Sequence, residues 1–376
     1  MKRFGLLSCF LMFYVFSFSA MAQEDENTWS ISLDSILIKG SRYSSPVKTN
    51  IYGVDIWSLD SMNNLPQILG NADPMHYAQM LPGIQTNSEY KSGINIEGCE
   101  NQHNIISIDG VPIYNVNHLL GFFSTFNTSH FSSLSLAKGV VSANSPNRLG
   151  GQLDMQRTYE IPNSINGTIS LGFISSQGTI DIPICSNTAV STSFRGSYIN
   201  LLYSQWLKVD EQQVRYSFYD ANVSIIHRLS NKDILLFDFY RGSDNGSFSE
   251  RHYLADMNAR WGNTMGAIRW KHAKGGLSSN MTAYISSYRN TFSIDMEDMK
   301  FRLPSSITDL GVKSDIEWNR WNTGFEICWH DIHPQSLDRQ GTTNVIDGHS
   351  QPKYSMETSV YLNYNYHLAP HIILSN

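Results

Sequence analysis

The side chains that could support catalysis or metal binding are few and widely spaced. His330 and His333 form a close histidine pair, but residues three apart on a strand face opposite sides, so we predict no metal site there. Asp295, Glu297 and Asp298 are interpreted as a solvated loop rather than as paired catalytic acids. No nucleophile elbow, Walker loop, dinucleotide fingerprint or zinc-protease motif occurs. The sequence therefore predicts neither an enzyme nor a bound cofactor.

Three cysteines lie beyond the first 22 residues, at positions 99, 185 and 328. Their odd number and wide spacing match neither a disulfide framework nor a zinc site. We expect Cys99, Cys185 and Cys328 to be unpaired, with one disulfide as the alternative.

The N-terminus predicts export from the cytoplasm. Lys2 and Arg3 form a positive end, residues 6–18 form an apolar core, and Ala20 and Ala22 fit an A-x-A cleavage site. We therefore expect residues 1–22 to be a cleaved signal peptide and Gln23 to begin the mature chain.

The bulk composition narrows the class of protein. The 376 residues carry a net charge of −6, which gives no basic field for nucleic acid. Aromatic residues make up 12%, including 19 tyrosines, as is typical of β-rich chains and of aromatic belts at a membrane surface. Mean hydropathy is −0.27, and no long apolar run follows residue 22, which argues against helical membrane spans.

The stretch between Leu81 and Met155 contains an ordered set of short motifs. At its centre, β-branched residues before Asp109 predict a buried strand, and Asp109 with Gly110 predicts a turn. The motifs in order are Leu81-Pro82-Gly83-Ile84, Ile94-Asn95-Ile96-Glu97-Gly98, Asp109-Gly110-Val111-Pro112, Lys138-Gly139 and Gly150-Gly151. Five ordered matches over about 75 residues are far more specific than any one of them.

This order resembles the plug domain of TonB-dependent outer-membrane receptors. The resemblance implies a Gram-negative outer-membrane protein that takes up a nutrient, such as a siderophore, a vitamin or an oligomer, with energy from the TonB protein. It also implies contact with outer-membrane lipid and, as a further partner, a surface-exposed lipoprotein that captures ligand. The mechanism it implies is gating by a plug rather than catalysis.

The region before the plug motifs contains two further predicted features. Ile36, Leu37 and Ile38 resemble the core of a TonB box, which would bind by strand addition; the first strand of the plug is the alternative. Asp73 and Pro74 predict the start of a helix over residues 75–81.

From about Ile161 the pattern changes to alternating polar and apolar residues. The clearest case places Val360, Leu362, Tyr364 and Tyr366 opposite polar neighbours. Such alternation is typical of barrel strands with a wet lumen and a lipid-facing outside, although a sandwich would alternate similarly. We predict turns at residues 175–178 and 228–233 and long loops at residues 243–260 and 334–353.

The fold class predicted is mainly β: a small α/β plug domain followed by antiparallel strands of a transmembrane β-barrel. About 10 or 11 strands are expected where a plugged barrel needs about 22, so we expect an incomplete or truncated form of a longer receptor, with a smaller closed barrel and the plug outside it as the alternative. The predicted domains are a signal peptide (1–22), a mobile segment with the TonB box (23–45), a plug (46–160) and a partial barrel (161–376).

Roles for single plug residues follow from the resemblance and from turn chemistry. Glycines 83, 98, 110, 139, 150 and 151 are expected to permit tight turns. Asp109 is expected to fix its own turn, and Lys138 to pair with a carboxylate of the barrel lumen. Glu97 stands where the family pattern has arginine, so an arginine lock from this position is not expected.

Three other classes of protein are weighed against this interpretation. The main alternative is a secreted or surface β-sandwich, such as an adhesin or a carbohydrate-binding protein. A signalling receptor would need an additional domain before the box, and an exported hydrolase lacks a catalytic constellation.

Overall fold

The computed structural model describes residues 47–49, 54–59, 72–86, 93–138, 149–206, 208–209, 212–250, 255–296, 299–341, 350–369 and 372–375. The predicted signal peptide, the TonB-box residues Ile36, Leu37 and Ile38, and Gly139 lie outside these residues.

The first described part of the chain, up to residue 156, consists of short elements. Its helix is α1 (Pro74–Gln79), and single 3-10 turns occur at Asn101–His103 and Leu119–Gly121. Its strands are β1 (Val47–Thr49), β2 (Val54–Ser58), β3 (Ile84–Gln85), β4 (Asn95–Ile96), β5 (Ile105–Ile108), β6 (Val111–Pro112), β7 (Asn117–His118), β8 (Phe123–Ser124), β9 (Ser133–Ala137) and β10 (Gln152–Gln156).

Six of these strands form one sheet, which we call the plug sheet, in the order β1-β2-β9-β10-β5-β6. β10 and β5 are parallel, and the other neighbours are antiparallel. The core beneath this sheet is apolar, with Met75, Ile94, Leu134 and Leu153 completely buried. The region around Asp109 thus belongs to its own small sheet, which argues against one continuous sandwich.

Helix α1 begins as the sequence predicts. The Asp73 carboxylate accepts hydrogen bonds from the backbone N–H groups of Met75 (2.9 Å) and His76 (3.4 Å), and Pro74 occupies the first turn. The helix ends at Gln79, two residues before the predicted end. Its last carbonyls are met by the backbone N–H groups of Met80 and Leu81.

The rest of the described chain forms a second sheet of long strands, which we call the large sheet. The short helix α2 (Ile199–Tyr203) interrupts it. The strands are β11 (Asn166–Leu171), β12 (Ser175–Cys185), β13 (Thr188–Ser197), β14 (Lys208–Val209), β15 (Gln212–Arg228), β16 (Asp233–Glu250), β17 (Ala255–Lys274), β18 (Leu277–Met296), β19 (Met299–Trp318), β20 (Trp321–His333), β21 (Asp338–Gly341), β22 (Lys353–Ala369) and β23 (Ile372–Ser375).

Eleven of these strands follow one another as antiparallel neighbours, in the order β11-β12-β13-β15-β16-β17-β18-β19-β20-β22-β23. The short strands β14 and β21 pair with β15 and β19 outside this path. Within the described residues, β11 and β23 do not pair with each other, so the sheet is open. The predicted mainly β fold and the predicted number of strands are confirmed.

The two faces of the large sheet differ as the alternation predicts. On β15, Asp220 and Asn222 are buried on the face that meets the plug sheet, while Tyr219 and Val223 point the other way. On β22 the outward-facing Val360 is 77% exposed. The sequence pattern thus identifies the polar and apolar faces correctly.

Two predicted loop positions are wrong. Residues 175–178, predicted as a turn, begin β12, and most of residues 243–260, predicted as a loop, lie in β16 and β17. Some of these polar side chains have partners in the plug, as Gln177 does at Ser129 and Asp244 does at His118, so polarity alone does not mark these stretches as loops. The turn between β15 and β16 is where the sequence predicts it, closed by bonds from the Leu229 and Ser230 N–H groups to the Asp233 carbonyl.

Neither described helix has the length and apolarity needed to cross a bilayer. Cys99, Cys185 and Cys328 are free thiols, as expected from their spacing.

Candidate functional site

The candidate site is the contact between the plug sheet and the polar face of the large sheet. Its plug side is the segment of residues 109–125, which we call the docking segment. It begins at the hairpin of β5 and β6, where Ile108 pairs with Val111. Asp109 (φ 46°) and Gly110 (φ 74°) both have positive φ, as a type I′ hairpin turn requires. The Asp-Gly sequence therefore specifies this turn.

Asp154, rather than Asp109, holds the hairpin from within the plug. Its Oδ1 accepts hydrogen bonds from the Gly110 N–H (2.7 Å) and the Ser107 hydroxyl (2.5 Å). The Asp109 carboxylate points away from its own turn and accepts from the Arg157 N–H (3.3 Å) and the Tyr159 hydroxyl (2.6 Å). Asp109 thus contributes its left-handed backbone conformation to the turn, whereas the carboxylate that accepts from the Gly110 N–H comes from Asp154 on β10.

Asp109 belongs to the first buried polar cluster of the contact. Arg269 on β17 donates to Asp238 on β16 (2.8 Å), to the Asp109 carbonyl (3.0 Å) and to the Tyr159 oxygen (2.8 Å). Burial raises the pKa of Asp109, and the negative charges of Asp238 and Asp154 raise it further. The positive charge of Arg269 lowers it, and the resulting pKa is about 6. Burial, with Asp109 nearby, also raises the pKa of the Tyr159 phenol. One guanidinium therefore joins the plug turn to two strands of the large sheet.

The second buried polar cluster surrounds His118, which is completely buried. Its Nδ1 lies 2.6 Å from Asp244 and its Nε2 lies 2.9 Å from Asp220, while its ring stacks on Phe218 with centroids 4.5 Å apart. Burial lowers the pKa of His118, but Asp220 and Asp244 outweigh burial and raise it to about 9. At neutral pH the ring is an imidazolium that donates to both carboxylates.

Arg195 completes the second cluster from β13. Its Nε and Nη2 donate to Asp220 at 2.7 and 2.5 Å, and Nη2 also donates to the Ser124 carbonyl of the docking segment at 2.6 Å. His118 and Arg195 supply two positive charges for Asp220 and Asp244. The cluster is therefore neutral as a whole, which makes its burial tolerable.

Single polar contacts lie between and beyond the two clusters. The Ser124 N–H donates to Asp73 (2.5 Å), which ties the end of the docking segment to helix α1. Other bonds reach the docking segment from Trp261, Asn263, Ser286, Tyr288, Lys313 and Asp309. The hydrogen bonds of the contact thus reach strands β13 to β19, and they lie beside apolar contacts such as that of Phe123 with Phe218.

The predicted plug glycines have two different roles. Gly83, Gly98 and Gly110 have positive φ and occupy tight turns, as expected. Gly150 and Gly151 lack positive φ. A Cβ at Gly151 would lie 2.5 Å from Cγ2 of Ile96 and 2.7 Å from the Ala137 carbonyl. The glycine pair therefore permits close packing between strands rather than a turn.

Lys138 has a partner other than the one predicted. Its Nζ lies 3.4 Å from the Asp55 carboxylate and 3.2 Å from the Pro82 carbonyl, both within the plug. The expectation of a lumen carboxylate is therefore wrong, because Lys138 directly follows β9, which pairs with β2, the strand that carries Asp55. Glu97 also stays within the plug, beside Gly83, whose carbonyl accepts from the Glu97 N–H at 2.7 Å.

The residues that connect the two sheets were not predicted individually. The ionic contacts are carried by His118, Arg195, Asp220, Asp238 and Arg269. Their partners lie up to 160 residues away in sequence, as between Arg269 and Asp109. The sequence pattern that could have indicated these residues is a charged side chain on the polar face of a strand whose other face is apolar.

Comparisons with known proteins give structural matches only. No protein-family model matches the sequence, and none of the curated proteins does. The outer-membrane transporter YddB from Escherichia coli superposes with a TM-score of 0.59 at 10% identity, covering 86% of this chain and 55% of that one. A mutant of the ferric enterobactin receptor PfeA from Pseudomonas aeruginosa gives 0.57 at 14% identity, with 87% and 57% covered. The ferric yersiniabactin uptake receptor FyuA from Yersinia pestis gives 0.52 at 12% identity, with 85% and 63% covered.

This chain shares with these outer-membrane transporters and receptors a fold in which a small sheet is docked on the polar face of a large antiparallel sheet. The resemblance to TonB-dependent outer-membrane receptors is thus confirmed at the level of the fold. The neighbouring proteins are transporters and receptors rather than enzymes. This chain spans 55–63% of the length of the three proteins named above.

Proposed function

We propose that this chain is the plug and part of the barrel of a TonB-dependent receptor for nutrient uptake across the outer membrane. In this proposal residues 1–22 are the signal peptide, 23–45 carry the TonB box, 46–160 are the plug and 161–376 are barrel strands. The observation that carries it is the docking segment, held by buried ionic clusters on the polar face of a sheet whose other face is apolar.

The outward face of β20 supports a membrane location. Trp321, Thr323, Phe325, Ile327 and Trp329 alternate along it, with no charged residue among them. The span from Trp321 to Trp329 matches the roughly 9–11 residues with which a tilted strand crosses a bilayer. Aromatic residues at both ends of an apolar stretch are typical of strands that meet the two membrane surfaces.

Neighbouring strands extend these aromatic positions into rows. Trp321 pairs with Trp318 on one side and with Tyr364 on the other, and the Trp321 and Tyr364 ring centroids lie 4.6 Å apart. At the other end of β20, Trp329 stacks near Tyr354 with centroids 6.1 Å apart. Two aromatic rows with apolar side chains between them support contact with lipid.

The polar contact between the sheets supports gating. Its two clusters hold paired charges, so water that enters after a small displacement can solvate both partners of each pair. Separating an apolar contact of the same area would expose apolar surface to water, which costs free energy and is not offset by hydration of charges. We therefore infer that a pull on the N-terminal segment releases the docking segment and opens a path for cargo, as a shift between two states of the plug.

The membrane location is tested by fractionating cells that express the chain. An integral outer-membrane protein stays in the membrane pellet after washes with concentrated urea and with high salt. Release of the chain into either wash would contradict the proposal and favour the secreted or surface β-sandwich. A known peripheral membrane protein in the same sample serves as the control for extraction.

The TonB partner is tested by capturing the full chain on the purified C-terminal domain of TonB. We expect Leu37→Pro to abolish capture, because proline removes a backbone donor from strand addition at the proposed box. Leu33→Pro, four residues earlier, is the matched control and should be captured normally. Equal capture of the Leu37→Pro and unmodified chains would reject the box at Ile36, Leu37 and Ile38.

The cargo is proposed only by class, as a siderophore, a vitamin or an oligomer. Two of the structural neighbours are named as receptors for ferric enterobactin and ferric yersiniabactin, at identities of 14% and 12%. A surface lipoprotein that captures ligand is proposed as a further partner. Energised uptake in a complete receptor, lost in Leu37→Pro while ligand binding persists, is the test of transport.

A further inference from the structure

Three side chains that can bind metal converge on the inner face of β19 and β20. Asp309 pairs with His330 across the two strands, and Cys328 lies two residues before His330, so all three point to the same side. One ligand atom from each lies within 4.8 Å of those from the other two. Asp309 and Cys328 are buried, with 1% and 6% exposure.

The distances fit a single ion. Nδ1 of His330 lies 2.7 Å from Oδ1 of Asp309 and 3.9 Å from Sγ of Cys328. Tetrahedral zinc, with bonds of about 2.3 Å to sulfur and 2.0 Å to nitrogen, would place those last two atoms about 3.5 Å apart. Sγ must therefore approach Nδ1 by a few tenths of an ångström. Nδ1 and Oδ1 of Asp309, which tetrahedral zinc would place about 3.3 Å apart, must separate by about half an ångström.

A fourth residue is placed to orient the histidine. Glu357 on β22 pairs with Cys328, and its Oε2 lies 3.7 Å from Nε2 of His330. That nitrogen is buried and has no hydrogen-bond partner among the described residues. A histidine that binds zinc through one nitrogen commonly donates the other N–H to a carboxylate.

We propose that Asp309, Cys328 and His330 form a zinc site on the inner wall of the large sheet, with Glu357 as a positioning residue. Sulfur, imidazole and carboxylate together favour zinc over magnesium or calcium, which prefer oxygen ligands alone. Three protein ligands leave one position for water. Binding deprotonates the thiol, and that proton passes to solvent.

The site adjoins the contact with the plug. The Tyr114 hydroxyl of the docking segment donates to Oδ2 of Asp309, while Oδ1 is the oxygen that faces His330. Zinc on Oδ1 leaves the tyrosine bond in place, so one carboxylate would serve both the metal and the plug. The site is therefore expected to be complete while the plug is docked.

The first test uses the unmodified full chain, purified in detergent and freed of metal. One equivalent of Zn²⁺ should bind, and X-ray absorption at the zinc edge should show one sulfur ligand with nitrogen and oxygen ligands. A spectrum with nitrogen and oxygen ligands only, or no stoichiometric binding, would overturn the proposal. It would leave Asp309 and His330 as an ordinary ion pair.

The second test uses variants with matched controls. Cys328→Ser should remove the sulfur signal, His330→Gln should abolish tight binding, and Glu357→Gln should weaken it by about 10- to 100-fold. His333→Gln is the control on the same strand, since His333 also lies near a carboxylate, with its Nε2 3.1 Å from Asp331. Cys185→Ser is the control for the exposed thiol. Loss of zinc binding in either control, or full zinc binding in Cys328→Ser and His330→Gln, contradicts the site. If a variant fails to fold, the X-ray absorption spectrum of the unmodified chain decides.

Discussion

Replacing His118 by glutamine should weaken the docking of the plug and remove a specific pH dependence. The ring lies between Asp220 and Asp244 without exposure to solvent, and its pKa is about 9 against 6.5 for an unperturbed histidine. That difference corresponds to about 3 kcal/mol in favour of the folded, protonated state. Removal of one partner from a buried charge pair typically costs about 3–5 kcal/mol, so the two figures agree.

The direction of the pH dependence follows from the raised pKa. Below pH 6.5 His118 is protonated in both the folded and the unfolded state, and its stabilising contribution is fully present. Between 6.5 and about 9 only the folded state keeps the proton, so stability falls as pH rises and the contribution is lost above about 9. The His118→Gln variant should lack this fall.

The assay is urea unfolding at a series of pH values from about 6 to about 10. At each urea concentration a brief deuterium pulse at one fixed pH labels the unfolded fraction, which is measured by mass spectrometry of peptides from residues 109–125. His130→Gln is the matched control. Burial, with Arg157 nearby, lowers the pKa of His130 well below its usual value, so this ring is neutral throughout the range. Its bond to the Ser224 hydroxyl (3.1 Å) is worth about 1 kcal/mol and carries no pH dependence there. An unchanged pH profile in His118→Gln, or a flat profile in the unmodified chain, would refute the reasoning.

Three further predictions use the same urea assay, with the range extended down to about pH 3 for the Asp109 variant. Arg269→Met should destabilise docking by about 3–5 kcal/mol, because it leaves buried carboxylates without their cation. Arg241→Met, at an exposed position, should have little effect, and similar losses in both variants would contradict the role of the cluster. Asp109→Asn should keep the turn, since Asn-Gly also favours type I′. It should abolish the loss of stability that the raised pKa of Asp109 causes as pH rises from 3.8 through about 6, and persistence of that loss would assign it to another group. Gly151→Ala should lower plug stability by about 1–3 kcal/mol through its clash with backbone, while Gly266→Ala, which meets only a contact of 3.6 Å, should be nearly neutral; the urea midpoints of the two variants check this.

Much of the fold follows from local patterns in the sequence. The N-cap of α1 at Asp73, the Asp109-Gly110 turn and the outward alternation at Val360 and Leu362 each depend on residues a few positions apart. Such features can be predicted without knowledge of distant partners. Boundaries were less accurate where strands are polar on both sides, as around Ser243.

The candidate site could not be predicted in the same way. The contact of His118 with Asp244 joins residues 126 positions apart, and no local pattern specifies that pairing. Resemblance to known receptors directed attention to Glu97 and Lys138, whose contacts lie within the plug. The connecting charges come instead from the strands of the large sheet, where Arg195 and Arg269 occupy inward positions.

The length of the central strands has a consequence for the proposed receptor function. β17, β18 and β19 each contain 20 residues, about twice what a tilted strand needs to cross a bilayer. The additional residues lie at the end of the strands remote from the short turns at Gly275–Gly276 and Asn319–Arg320. They continue the hydrogen-bonded ladder there, so this end is ordered sheet rather than loop. In the proposed receptor, selectivity for cargo at this end of the strands would depend on every second residue. A scan of alternate positions should then separate side chains that contact cargo from those that face solvent.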